Sequence, residues 1–131
     1  MVEQFSVISQ HWLRFAKSSL IAAKTLTPVE GMRLEEICFL LQQSVEKSLK
    51  TVLVYHGINP QKTHNMSFLL NEIKNLTDIP EWMTDVLELQ DFAVRDRYPG
   101  VSEELSDIEE LEGLKILAQD VFDWAQELIS K

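Results

Sequence analysis

Apolar side chains recur along this chain at steps of three and four residues, and the series is broken at intervals by proline, glycine and asparagine. That period lines one side of an α-helix, whereas alternation at every second residue would line one side of a strand. Between Ser6 and Leu26 the recurring positions are Ile8, Trp12, Phe15/Ala16, Ser19/Leu20, Ala23 and Leu26, which predicts a first helix. Thr27-Pro28-Val29-Glu30-Gly31 interrupts the series as a short connector. From Met32 to His56 the stripe is Leu34, Ile37, Leu41, Val45, Leu49, Val52 and Tyr55, and Gly57 supplies a helix stop. This second helix reads as the longest one and the spine of the molecule, since twenty-odd residues at about 1.5 Å each span roughly 35 Å.

Asn59 and Pro60 mark a loop, after which Thr63 is placed to cap a shorter helix carrying Met66, Leu69, Leu70 and Ile73. Asp78-Ile79-Pro80 reads as a cap followed by proline in the first turn of a fourth helix, which runs through Trp82, Val86, Leu89 and Phe92/Ala93 and fails before Tyr98-Pro99-Gly100. Ser106 and Glu109 have capping-box spacing ahead of a last long helix through Ile108, Leu111, Leu114, Leu117, Val121, Trp124 and Leu128. No alternating strand pattern competes. Short links between long helices make neighbours antiparallel, so the expected fold is an all-α, up-and-down antiparallel bundle of about five helices, four long and one short. A chain of 131 residues fits one domain, 1–131.

Composition adds constraints without changing the fold. The chain is 45% hydrophobic and 25% charged, as ordinary globular proteins are. No basic segment leads into an apolar run, and no stretch approaches the roughly 18 apolar residues that span a bilayer, so the expected location is cytoplasmic with no membrane contact. Cys38, the only cysteine, sits in the run Ile37-Cys38-Phe39-Leu40-Leu41 and reads as a small core hydrophobe. The net charge of −9 argues against bulk DNA binding, which needs clustered Lys and Arg. The charge is also uneven: residues 1–65 carry seven basic and five acidic side chains, and residues 66–131 carry five and sixteen. Any anion site is therefore local.

Several common chemistries are absent. His11, His56 and His64 belong neither to HExxH nor to the Glu-x-x-His spacing of di-iron bundles, so no metal is expected. The isolated glycines make no phosphate loop, dinucleotide fingerprint or Gly-x-Ser-x-Gly elbow, and no cofactor is expected. Paired acids such as Glu103-Glu104 and Glu109-Glu110 read as solvated charge.

Two stretches stand out together: Leu41-Gln42-Gln43-Ser44-Val45-Glu46-Lys47-Ser48-Leu49-Lys50 in the second helix and Arg95-Asp96-Arg97-Tyr98-Pro99-Gly100 at the end of the fourth. With Thr63-His64-Asn65-Met66 between them, their order and spacing resemble the HEPN (higher eukaryotes and prokaryotes nucleotide-binding) family, in its branch with an RYP turn. These are helical domains often encoded beside minimal nucleotidyltransferases. The resemblance implies a bundle that forms a homodimer, with a cleft around the helix-four turn and its two-fold mate. It also brings in a ribonuclease motif, an arginine followed after four to six residues by histidine. This chain departs from that motif: Gly100, Val101, Ser102, Glu103 and Glu104 follow the arginines, and no histidine lies beyond His64. Cleavage through a ribose 2′-hydroxyl needs a group that moves a proton near neutral pH, and histidine is the usual one.

Anion recognition survives this loss. Arg95 and Arg97 suit bidentate phosphate binding, Tyr98 suits stacking on a base, and Lys47 and Lys50 lie three apart on one helix face. His64 completes the candidate nucleotide- or phosphate-binding set, although its plainer role is to cap the first turn of the third helix. The expectation is a non-catalytic module that binds a nucleotide, an RNA or a nucleotide-bearing partner, acting with a minimal nucleotidyltransferase in a toxin–antitoxin-like pair. Two other readings stay open. One is a divergent ribonuclease using Arg97 with His64 or with Glu103 or Glu104. The other is a purely structural dimeric interaction protein.

Overall fold

The computed structural model describes residues 2–60, 62–90 and 108–130, and these are mostly helical, with no strand among them. α1 is Val2–Thr25, α2 is Leu34–Tyr55 and α3 is Met66–Lys74. A 3-10 turn, Glu81–Asp85, runs directly into the helical residues 86–90, designated α4, and α5 is Ile108–Ile129. α1 and α2 run antiparallel: the Phe5 ring sits against Gly57 beyond the end of α2, and the Ser44 hydroxyl donates to the Ala16 carbonyl at 2.8 Å midway along both. α1, α3 and α5 all pack on α2.

α2 is the centre of this arrangement. The predicted stripe positions Ile37, Leu41, Val45, Leu49 and Val52 are fully buried, and so are Cys38, Ser44, Ser48 and Thr51 on other sides of the helix. A helix enclosed on nearly every side forms the interior of a bundle instead of one wall of it. Its end is fixed by Gly57 at φ +82°, where the Ile58 amide donates to the Leu53 carbonyl at 3.0 Å and the Gly57 amide to the Val54 carbonyl at 2.9 Å. This paired pattern satisfies the last carbonyls of the helix and needs a left-handed residue. A Cβ on Gly57 would also stand 2.9 Å from the Phe5 ring, so geometry and space both select glycine.

The structure corrects several expectations. At 24 residues α1 is longer than α2, which has 22. On α1 the buried stripe is Ser9, Leu13, Ala16, Leu20 and Ala23, so Ile8 and Phe15 from the apolar series remain exposed, Phe15 at 63%. The small side chains at positions 16 and 23 let α1 approach α2 closely, which bulky Phe15 would prevent. Asn65, not Thr63 or His64, caps α3, its side chain accepting from the Phe68 amide at 3.1 Å. Thr63 instead accepts from the Asn65 amide through its hydroxyl. Pro80 stands at the cap position itself, with ψ at 151°, and opens the 3-10 turn. Met83, Val86 and Leu89 then face the core while Trp82 is exposed. Phe92, Ala93, the Tyr98-Pro99-Gly100 stop and the Ser106 cap lie outside the described residues.

Expected core positions hold at Cys38 and in α3 and α5. Cys38 is fully buried, and Met66, Leu69, Leu70 and Ile73 of α3 and Leu111, Leu114 and Val121 of α5 join one contiguous hydrophobic core. No described helix is long and apolar enough to cross a membrane.

Candidate functional site

Three polar side chains, Gln42, Glu46 and Lys50, follow one another at four-residue steps on α2 and therefore share one face. All three are nearly inaccessible, at 3, 8 and 6% exposure. Burial of a charge is costly unless it is paired and hydrogen-bonded. Here Glu46 accepts from Gln42 Nε2 at 3.2 Å through Oε1 and from Lys50 Nζ at 3.1 Å through Oε2. A third group meets the carboxylate from outside the helix: His64 Nδ1 lies 2.7 Å from Oε1. The His64 ring is itself 67% exposed. The cluster thus starts inside the bundle and ends at the surface.

Local chain geometry holds the ring in place. His64 directly precedes Asn65, the α3 cap, and the Met66 amide donates to Gln90 Oε1 of α4. Gln90, whose side chain lies at the head of α3, precedes in sequence the segment bearing Arg95, Arg97 and Tyr98. The three residues themselves lie outside the described set, as do Glu103 and Glu104.

Of the sequence candidates, the structure joins Lys50 to His64 through Glu46. Lys50 is an interior ion-pair partner instead of one half of an open lysine pair, while Lys47, on a neighbouring side of α2, is half-buried. Sequence reasoning did not single out Gln42, Glu46 or Gln90 as site residues. For the first two a signal was present, because glutamine, glutamate and lysine at four-residue steps inside an apolar helix make a second, polar stripe. For Gln90 there was none: a glutamine in an amphipathic helix is ordinary until the fold brings it to the head of α3.

Two concavities lie away from this cluster. A cavity of about 180 Å³ between α1 and the loop after α2 is walled largely by apolar groups, including Phe5, Trp12 and Ile58. One of about 260 Å³ is lined by Lys24 and Lys115 but also by Glu112 and Asp120, with Lys24 already donating to Gln119 at 2.6 Å. Among the described residues no group of three or more His, Cys, Asp or Glu side chains is arranged to hold a metal ion.

Comparison with known proteins agrees with the architecture. The crystal structure of ST0689, an archaeal HEPN homologue, superposes with a TM-score of 0.68 at 26% identity, covering 92% of this chain and 97% of the other. TT1696 from Thermus thermophilus shares the fold with a TM-score of 0.63 at 23% identity, over 96% of each chain. No curated protein matched in sequence comparison. The HEPN domain model matches residues 9–128, from the first buried turn of α1 to the last turn of α5, and the chain belongs to the HEPN domain family.

Proposed function

We propose that this chain is a non-catalytic HEPN module that binds a nucleotide or a nucleotide-bearing partner. The observation that carries the reading is the Gln42–Glu46–Lys50–His64 cluster, in which a fully partnered interior carboxylate presents an exposed imidazole two residues before the amide that Gln90 holds. A purely structural role has little use for three buried polar groups, since apolar residues of similar volume stabilise as well or better. In this reading Arg97 and Arg95 bind phosphate, Tyr98 stacks on a base and His64 closes the site. The module acts as a homodimer with a minimal nucleotidyltransferase in a toxin–antitoxin-like pair.

Calorimetric titration with a panel of ribonucleotides tests it. Binding should be measurable for at least one, and Arg97→Ala should weaken it about tenfold or more, as expected for loss of a charge-assisted phosphate contact. No heat with any ribonucleotide, together with unchanged behaviour of Arg97→Ala, would sink the proposal.

A second reading draws on the His64 geometry. A ring whose Nδ1 is held by a carboxylate has its other nitrogen available to take a proton, as in triad-type general bases. A divergent ribonuclease using His64 and Arg97 would cleave structured RNA, and His64→Ala and Arg97→Ala would each abolish the cleavage. Intact RNA after prolonged incubation with the purified protein rules this reading out.

A further inference from the structure

We infer that His64 is a proton-coupled phosphate contact, gripping the phosphate of a bound nucleotide through Nε2 when the ring is protonated. This rests on the nucleotide-binding reading and specifies which part of the ligand the cluster recognises. The argument starts from hydrogen-bond roles. An ionised carboxylate only accepts, so the 2.7 Å contact to Glu46 requires the hydrogen on Nδ1. Nε2 is then the ring atom left to meet a ligand, on a side chain that is two-thirds exposed.

Charge balance supplies the second step. In an ordinary exposed His–Glu pair, protonation of the ring is answered by the carboxylate, and little field is left over. Here the Glu46 carboxylate already faces the Lys50 ammonium at 3.1 Å, both of them buried, so the interior pair is neutral. Protonating His64 therefore adds a positive charge at the surface that no interior group cancels. Next in sequence to Glu46 and close to His64 are Lys47 and Lys62, both basic, while the other acids of α2, Glu35 and Glu36, stand in its first turn and α4 carries Glu88 two positions before Gln90. The first turn of α3 and Gln90 contribute none. An anion is the complement of this arrangement.

Preorganisation is the third step. Glu46 is anchored by Gln42 and Lys50, and the backbone beside His64 by the Asn65 cap and by Gln90, so binding orders few groups. A neutral ring presents a lone pair at Nε2 and repels a phosphate oxygen, whereas a protonated ring donates to it. Affinity is therefore higher where the ring is protonated, and binding takes up a proton.

The test is calorimetric titration of the four ribonucleoside 5′-monophosphates and their parent nucleosides at about pH 5.5, 7 and 8.5, with the parent protein and His64→Gln. Phosphate has its own ionisation near pH 6, and the ratio of the two proteins removes the contribution of the free ligand, which is common to both. For the monophosphate that binds, the parent protein should be about tenfold or more tighter than His64→Gln at the lowest pH, with the ratio falling towards one at the highest. The matching nucleoside should show a ratio near one throughout. A ratio independent of pH, or an equal loss for nucleoside and nucleotide, would overturn the inference and leave nucleotide binding intact. Absence of binding by every monophosphate at every pH would overturn both.

Discussion

α1 and α2 are similar in length and in amplitude of apolar periodicity, yet they occupy opposite situations. α1 buries one narrow stripe and leaves Val7, Phe15 and Ile21 more than half exposed, whereas α2 is enclosed so completely that Gln42, Glu46 and Lys50 lie inside the protein. The contrast teaches that residue type sets the cost of burial and the fold decides who bears it. An exposed phenylalanine costs little, but a buried glutamate must be met atom by atom.

The largest expected effect breaks that contrast at its polar end. Glu46→Ala strands the Lys50 ammonium in the interior, and removal of one partner from a buried pair costs about 3–5 kcal/mol. Urea denaturation should show this loss, and the double variant Glu46→Gln with Lys50→Met should recover most of it, because no buried charge then remains. Next comes the register of α1. Leu13→Ala removes a core side chain and should cost about 2–4 kcal/mol, while Phe15→Ala, two positions on, should change stability by less than about 0.5 kcal/mol. Equal costs at the two positions would mean that the outer face of α1 is covered in solution. The smallest effect sharpens the comparison at α3, whose start is set by a side chain instead of by burial. Asn65→Ala should cost about 1 kcal/mol by thermal denaturation, and Thr63→Ala less, since Thr63 serves only the amide of the cap residue.

These residues also show what could be read before the fold was known. α2 was legible because its apolar stripe and its glycine stop agree, and nothing in the helix competes with them. The register of α1 was not, because Ile8, Trp12 and Phe15 run beside Leu13, Ala16 and Leu20 as two neighbouring stripes of the same period. Periodicity cannot choose between them; the close approach to α2 does, in favour of the smaller side chains. The site was legible only in part. His64 and Lys50 were identified as candidates, but the residue that joins them is Glu46, an acid on an acidic chain, and its role depends on a contact across eighteen positions. Long-range pairs of this kind are fixed by tertiary packing and leave no local pattern.

The link between Gln90 and the Met66 backbone has one more consequence. The first amides of a helix have no partner within it and ordinarily exchange their hydrogens readily with water. Met66 is fully buried and its amide is held by a side chain from α4, so its exchange rate records how often the two helices part. That one amide is a built-in clock for the junction of α3 and α4, and it can be read by deuterium exchange without altering a residue.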